Sequence, residues 1–245
     1  NVSAAATKTA TKDIVAPTIT DVTLSHSSGT AKVSDVITIT LTAGGSQSDL
    51  TIGDACTVNS VDVSGSFTYS TGGTYTITYT VTNGNADWIS GGLPISCVLK
   101  EPAGNSVTVS SFTGTNTLAG DANIPAAPSI ASIAGDNYIN VSEETEVVII
   151  GTAEANATIG GNLTGTGEPV TVSGSADEDG NFSITVNTTT LADGTLNLSI
   201  TATDAAGNVS AAATKTATKD IVAPTIQSIV GTSIQNAGDQ ITITF

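Results

Sequence analysis

The first nineteen residues of this chain, NVSAAATKTATKDIVAPTI, occur again without change at 208–226, which is 207 residues further on. Beyond that stretch the two copies diverge while staying recognisably similar in pattern. Solenoid and propeller units repeat every 20 to 50 residues or so, whereas this spacing corresponds to roughly one or two globular domains. We therefore expect a tandem array of domains, of which this chain is one window.

A weaker internal similarity divides the repeating unit into two domains. KDIVAP at 12–17 resembles GDANIP at 120–125, and an Ala-Gly-Asn element precedes each kind of linker, at 103–105 and at 206–208. The sequence thus predicts two unlike domains of about one hundred residues each. The predicted boundaries are 1–12 for the last strand of a preceding domain, 13–120 and 121–219 for the two domains, and 220–245 for the start of the next.

The residue pattern indicates β-structure throughout. Seven short alternating runs rich in Val, Ile and Thr, separated by Gly, Asn and Asp, can be counted in each domain, including single strands over 56–63 and 209–218. Aromatic residues make up only 4% of the chain. Seven strands at such intervals are typical of an immunoglobulin-like Greek-key sandwich. We therefore predict an all-β fold of tandem sandwiches.

The charge balance excludes several classes of function. The chain has 22 acidic residues against six lysines and no arginine, for a net charge of −16. Nucleic-acid binding requires a basic surface and is not expected. No run approaches the roughly 18 to 20 apolar residues that span a bilayer, so membrane insertion is not expected either. The single histidine, His26, has no motif supplying a nucleophile, and we predict no enzyme activity.

Most acidic residues fall in the predicted loops, where a Greek key brings alternate loops to the same end of a sandwich. For the end of the second domain where the chain comes in (the incoming end), the candidates are Asp121, Glu154, Asp177, Asp179, Asn181, Asp204 and Asn208. For the opposite, outgoing end they are Asp136, Asp193 and Asp220, and for the first domain Asp13, Glu101 and Asn105. Oxygen donors of this kind bind Ca²⁺, so the sequence predicts several calcium ions per repeat, at the domain junctions. The alternative is ordinary Asp/Asn/Gly turn chemistry.

The two cysteines, Cys56 and Cys97, both lie in the first domain. A disulfide between them would suit an oxidising, extracellular location. Two buried free thiols are the alternative, and the spacing alone does not separate the two.

Several motifs of the second domain resemble a known family. They are GTAEANAT at 151–158, ADEDGNF at 176–182, LADGT at 191–195 and TDAAGNVS at 203–210. These resemble the bacterial immunoglobulin-like repeats of giant biofilm-associated and RTX-type adhesins. The resemblance implies a secreted or cell-surface bacterial protein whose repeats, stiffened by calcium between domains, project a binding tip and contact neighbouring repeats of the same chain.

Two other functions stay open at this level. The chain could be a repeat of an extracellular filament or surface layer, with other copies as its partners. It could also be a carbohydrate- or protein-binding module, for which Trp88 is the best candidate anchor, although a tryptophan in such a loop more often packs against its own domain.

Overall fold

The computed structural model describes residues 12–26 and 29–225. Two compact units divide the chain: the first runs to Ile124 and includes Ala206–Asn208, and the second comprises Pro125–Ala205 and the residues from Val209 onward. The division therefore falls after Ile124, whereas the sequence placed it after residue 120. Of the predicted flanking segments, 1–12 and 220–245, residues 1–11 and 226–245 lie outside the described residues.

The described residues of the first unit form short strands and two 3-10 turns, Gly44–Ser46 and Ser64–Ser66. Its strands are β1 Ile19–Leu24, β2 Thr30–Lys32, β3 Val36–Ala43, β4 Thr51–Val58, β5 Val61–Asp62, β6 Thr68–Tyr69, β7 Thr74–Thr80, β8 Ile95–Lys100, β9 Ser106–Val109 and β10 Ala119–Asp121. They form a β1-β3-β7-β6 sheet, a β5-β4-β8-β9 sheet and a parallel β2-β10 pair. The apolar side chains of the two larger sheets pack into one core.

One strand prediction in this unit is wrong. The segment 56–63 is not a single strand but the hairpin of β4 and β5, with Val58 paired to Val61. The two residues between them, Asn59 and Ser60, have φ values of 51° and 63°. Positive φ at both positions is the geometry of a tight two-residue hairpin turn, and the usual sequence signal for it is a glycine that this turn lacks.

Up to residue 225, where the described part of the chain ends, the second unit has eight strands in two sheets. They are β11 Ser129–Ile133, β12 Tyr138–Ile139, β13 Val147–Thr152, β14 Thr158–Thr164, β15 Val170–Ser175, β16 Asn181–Val186, β17 Gly194–Thr203 and β18 Ala213–Lys219. The sheets are β11-β13-β16 and β12-β18-β17-β14-β15, which enclose a core of aliphatic side chains and Phe182. The last strand begins at Ala213, not at 209 as predicted, and Val209 makes only an isolated bridge to Thr203.

Alternating burial explains why these segments are strands. In β3 the inward residues Ile37, Ile39 and Leu41 are buried while the threonines between them face outward. The same period of two runs along β16 and β17. The predicted all-β, immunoglobulin-like sandwich architecture is confirmed. Among the described residues, the structure contains no helix with the length and apolarity that a membrane crossing requires.

Candidate functional site

The three linker aspartates adopt the same local turn. Each carboxylate accepts a hydrogen bond from the backbone N–H two residues later: Asp13 Oδ1 from Val15 at 3.0 Å, Asp121 Oδ1 from Asn123 at 3.1 Å, and Asp220 Oδ1 from Val222 at 3.1 Å. This is the Asx turn, in which a short side chain takes the place of a backbone acceptor. In each of these three predicted metal ligands, one carboxylate oxygen is therefore already engaged in a hydrogen bond that sets the local conformation of the linker.

At the outgoing end of each unit a second aspartate also accepts a backbone N–H, but from a residue distant in sequence. Asp87, in the loop between β7 and β8, accepts the N–H of Ala122 at 2.8 Å. Asp193, just before β17, accepts the N–H of Ile221 at 3.2 Å. In both cases the donor immediately follows the linker aspartate. The structure thus brings Asp193 next to the linker of Asp220, as predicted, whereas Asp136 accepts the N–H of Tyr138 in a turn of its own.

The incoming end of the first unit gathers its three predicted residues. Asn105 Nδ2 donates to the carbonyl oxygens of Asp13 at 3.3 Å and of Val15 at 3.4 Å, and also to Glu101 Oε1. The other carboxylate oxygen of Glu101 accepts Gln47 Nε2 at 3.2 Å. Glu101 is only 7% exposed, so two amide donors compensate a largely desolvated carboxylate. Gln47 is a member of this cluster that sequence reasoning missed.

The oxygen atoms of this cluster are of the type that binds a hard divalent cation. Three oxygen atoms surround the Asn105 amide nitrogen, and the orientation of a side-chain amide is assigned from such partners. With the amide reversed, Oδ1 joins the two linker carbonyls and the Glu101 carboxylate, which makes an all-oxygen donor set of the kind that Ca²⁺ accepts.

The incoming end of the second unit brings three loops together. Thr158 at the start of β14 lies opposite both Ser175 of β15 and Thr203 of β17, so the loops flanking these residues share one end of the sandwich. The loop with Glu154 and the loop with Asp177 are also joined directly, since the Ala153 N–H donates to the Gly180 carbonyl at 2.8 Å. The predicted placement of Glu154, Asp177 and Asp204 at one end of this unit agrees with these pairings.

The DEDGN segment closes on its own first residue. Asp177 Oδ1 accepts the N–H of Asp179 at 3.0 Å, the N–H of Asn181 at 2.8 Å and the Asn181 side-chain amide at 3.5 Å. Gly180 has a φ of +82°, and a Cβ there would lie 2.6 Å from the Ala153 carbonyl, so only glycine fits. The turn alternative from the sequence therefore explains this loop without an ion.

The two remaining predicted ligands, Asp121 and Asn208, both lie in the first unit. Asp121 ends β10 of the first unit, and its carbonyl accepts the Asn208 side-chain amide at 3.2 Å. Asn208 is buried in the same unit, where its Oδ1 accepts the N–H of Val33 at 2.8 Å. Over 12–26 and 29–225, no three histidine, cysteine, aspartate or glutamate side chains lie close enough together to hold a metal ion. Calcium coordination stays a prediction.

The other two sequence candidates lie in the interior of the first unit. Cys56 and Cys97 face each other in register across β4 and β8, are fully buried, and form a disulfide. Trp88 is 6% exposed and packs against Tyr79, with ring centroids 6.1 Å apart. Its ring also covers Gly120, where a Cβ would lie 2.2 Å from the indole. A ring enclosed in this way has no free face on which a sugar could stack.

Several solved structures are similar to this chain. They include a 1.5-MDa bacterial ice-binding adhesin (22% identity, 84% of this chain and 65% of that one, TM-score 0.41) and a Ca²⁺-stabilised adhesin with which an Antarctic bacterium binds ice (23%, 84% and 49%, 0.39). A third is a tetra-tandem repeat from the extending region of a large adhesion protein (20%, 83% and 50%, 0.34). The chain thus spans less than two thirds of each of these chains.

A comparison with curated proteins finds no match. A family model described as a bacterial Ig domain matches residues 124–219. This range covers most of the second unit, including the four motifs that carried the resemblance. The resemblance of the second unit to bacterial immunoglobulin-like repeats is thereby confirmed over residues 124–219.

Proposed function

We propose that this chain is a stretch of extender repeats from a large bacterial adhesin, secreted or held at the cell surface, in which Ca²⁺ at the domain junctions stiffens an array that projects a binding tip. One observation carries the proposal. The nineteen-residue repeat includes both the last strand of a bacterial Ig domain and the linker aspartate, and it recurs at a spacing of 207 residues. Duplication of a whole domain pair with its joint adds length and no new chemistry.

The charge composition supports calcium at the joints. Six lysines cannot neutralise 22 acidic residues, so at least sixteen carboxylates have no lysine of their own (22 − 6 = 16). The linker aspartates and the loops beside them concentrate oxygen donors, and the cluster around Glu101 and Asn105 has the composition that calcium accepts.

An ion held by a linker and by the loops beside it would remove the freedom with which two domains on a short linker otherwise move. Binding to the folded state alone would also stabilise it, by about 2.7 kcal/mol at a calcium concentration one hundred times the Kd. The linker prolines Pro17, Pro125 and Pro224 add local stiffness through their fixed φ.

Small-angle scattering of a chain of several repeats tests the proposal. We expect the maximum dimension to fall when EDTA removes calcium and to recover when calcium is added, with magnesium recovering it less. An unchanged maximum dimension would rule out calcium stiffening. Side-by-side association of the particles would instead favour the filament or surface-layer alternative.

A pair of matched variants locates the ion in the first unit. Asn105→Asp replaces an amide beside Glu101 with a carboxylate, and Asn140→Asp makes the same change beside Glu143, whose carboxylate accepts the Asn140 amide at 2.6 Å. We expect Asn105→Asp to lower the thermal midpoint in EDTA and to enlarge the rise that calcium produces. Asn140→Asp, outside the proposed sites, should leave that rise unchanged. Equal rises in the two variants would remove calcium from the Glu101 cluster.

A further inference from the structure

The segment that leaves the first unit is bound to the loop between β7 and β8. Asp87 accepts the N–H of Ala122, and both of its carboxylate oxygens accept the Asn123 side-chain amide at 2.9 Å. The Ile124 N–H donates to Asn83 Oδ1 at 3.0 Å, and the Gly84 N–H donates to the Ala122 carbonyl at 2.9 Å. Residues 122–124 therefore continue the unit as bonded backbone and are not a loose tether.

The segment that leaves the second unit is bound in the corresponding way. Asp193 accepts the N–H of Ile221, and the Asp220 N–H donates to the Ile139 carbonyl at 2.9 Å. One residue earlier, Lys219 is buried and its ammonium contacts Glu144 and two carbonyls of the loop before β17. Lys219 fixes the chain just before the linker, and Asp193 fixes it just after Asp220, where the linker begins.

In both arrangements the linker is held by hydrogen bonds to the side chain of an aspartate. A carboxylate that accepts a backbone N–H is a charge-assisted hydrogen bond, which is stronger than a bond between neutral groups. The two units reach it with different neighbours, since an enclosed tryptophan ring covers Gly120 in the first and Lys219 is itself buried in the second. Both units share one contact: an aspartate of a neighbouring loop accepts the N–H of the residue that follows the linker aspartate.

We propose that Asp87 and Asp193 are positioning residues that fix the direction in which each linker leaves its unit, through a hydrogen-bonded staple that is independent of calcium. Calcium then acts on a linker whose first residues are already placed. The staple goes beyond the adhesin proposal and does not depend on it, because its contacts lie within single units.

Amide hydrogen exchange in the full chain, followed by NMR in EDTA, tests the staple. We expect the N–H groups of Ala122 and Ile221 to be protected without calcium. Asp193→Ala should lower protection at Ile221 by about tenfold, the factor that one net hydrogen bond contributes. Asp87→Ala should do the same at Ala122. Asp193→Asn, which keeps an acceptor oxygen, should retain most of the protection.

Two controls make the outcome specific. Asp62→Ala removes a first-unit carboxylate that accepts the Ser64 N–H in a turn of its own, and it should leave Ala122 unaffected. Protection at Ile184, in the middle of β16, reports whether each variant of the second unit remains folded. The staple is overturned if Asp193→Ala leaves Ile221 protected, or if wild-type protection there disappears in EDTA and returns with calcium. Protection that persists in EDTA while scattering shows no calcium effect would retain the staple and reject calcium stiffening.

Discussion

Lys219 is a lysine in the interior of a unit that has few other charges inside it. It is 2% exposed, and its Nζ lies 2.9 Å from Glu144 Oε2, 3.0 Å from the Thr188 carbonyl and 2.8 Å from the Leu191 carbonyl. The three protons of the ammonium thus meet three acceptors, which is the condition under which a buried charge is tolerated. One side chain thereby ties β18 to two separate loops.

Lys219→Met should destabilise the second unit by roughly 3 kcal/mol or more, because it leaves Glu144 and two carbonyls without their partner. Lys215→Met is the matched control on the same strand, where Nζ contacts the carbonyls of Ile130 and Ala131 at the surface. We expect a loss of about 1 kcal/mol or less there. Urea unfolding, followed by hydrogen exchange of second-unit peptides, measures both; equal losses would contradict the assigned role of Lys219.

At the level of elements, β7 carries two fully buried tyrosines, Tyr75 and Tyr79, whose hydroxyl groups are hydrogen-bonded. Tyr75 donates its hydroxyl to the Gln47 carbonyl and accepts the Leu50 N–H, while Tyr79 donates to Asn85 Oδ1. Burial raises the pKa of both phenols above its ordinary value. Each ionised phenolate would lose the bond that it donates.

The raised pKa values predict a loss of stability at alkaline pH in the first unit. Below about pH 10 both phenols are protonated in the folded and unfolded chain, so their full contribution is present. As the pH rises further, the phenols of the unfolded chain ionise before those of the folded chain. The free energy of unfolding therefore falls until the pH has passed the raised pKa of the folded state. Phenolate absorbance and Trp88 fluorescence should change together.

The second unit provides the internal control for this pH dependence. Its described tyrosine, Tyr138, is 63% exposed, so this unit has no buried phenol among its described residues. Tyr138→Phe should leave the alkaline transition of the first unit unchanged. A transition that occurs at the same pH in both units would contradict a role for Tyr75 and Tyr79.

Long strands were predictable and short ones were not, for a physical reason. β3 and β17 show alternation over seven or more residues, which a period of two makes visible. The strands β2 and β12, which pair in parallel with β10 and β18, have only three and two residues, too few to show any period. The hairpin between β4 and β5 was missed because Asn59 and Ser60 adopt positive φ without glycine.

The candidate sites were predictable to a similar degree. Asn105 belongs to an Ala-Gly-Asn element that recurs in the sequence, and in the structure its side-chain amide contacts the carbonyl of the linker residue Asp13. Gln47 was not found, because a single polar residue 54 positions from its partner leaves no local signal. The contact of Asp87 with Ala122 likewise leaves no local signal, because it arises from tertiary packing across 35 positions.

For the whole molecule, the net charge of −16 acts against the compact state through mutual repulsion of the carboxylates. Salt shortens the range of that repulsion, from about 30 Å at 0.01 M to about 8 Å at 0.15 M. In a chain with few lysines, salt therefore stabilises the fold more by screening the repulsion between carboxylates than it destabilises it by screening ion pairs.

Raising sodium chloride over that range, with EDTA present, should raise the thermal midpoint of unfolding by several degrees. Calcium at equal ionic strength should raise it further if specific sites exist, so the two contributions are measured separately by calorimetry. A midpoint that falls with sodium chloride would show that attractive pairs dominate the electrostatics of this chain.

The identical copies at 1–19 and 208–226 have a consequence for inheritance. A crossover between the two coding stretches would join the last strand of one domain to the linker and first strand of the next with no change of sequence at the seam. The gene could thereby lose or gain whole periods of 207 residues while each joint of the KDIVAP type keeps its lysine, aspartate and proline. Reach could then vary between strains in fixed steps, without any new fold having to be selected.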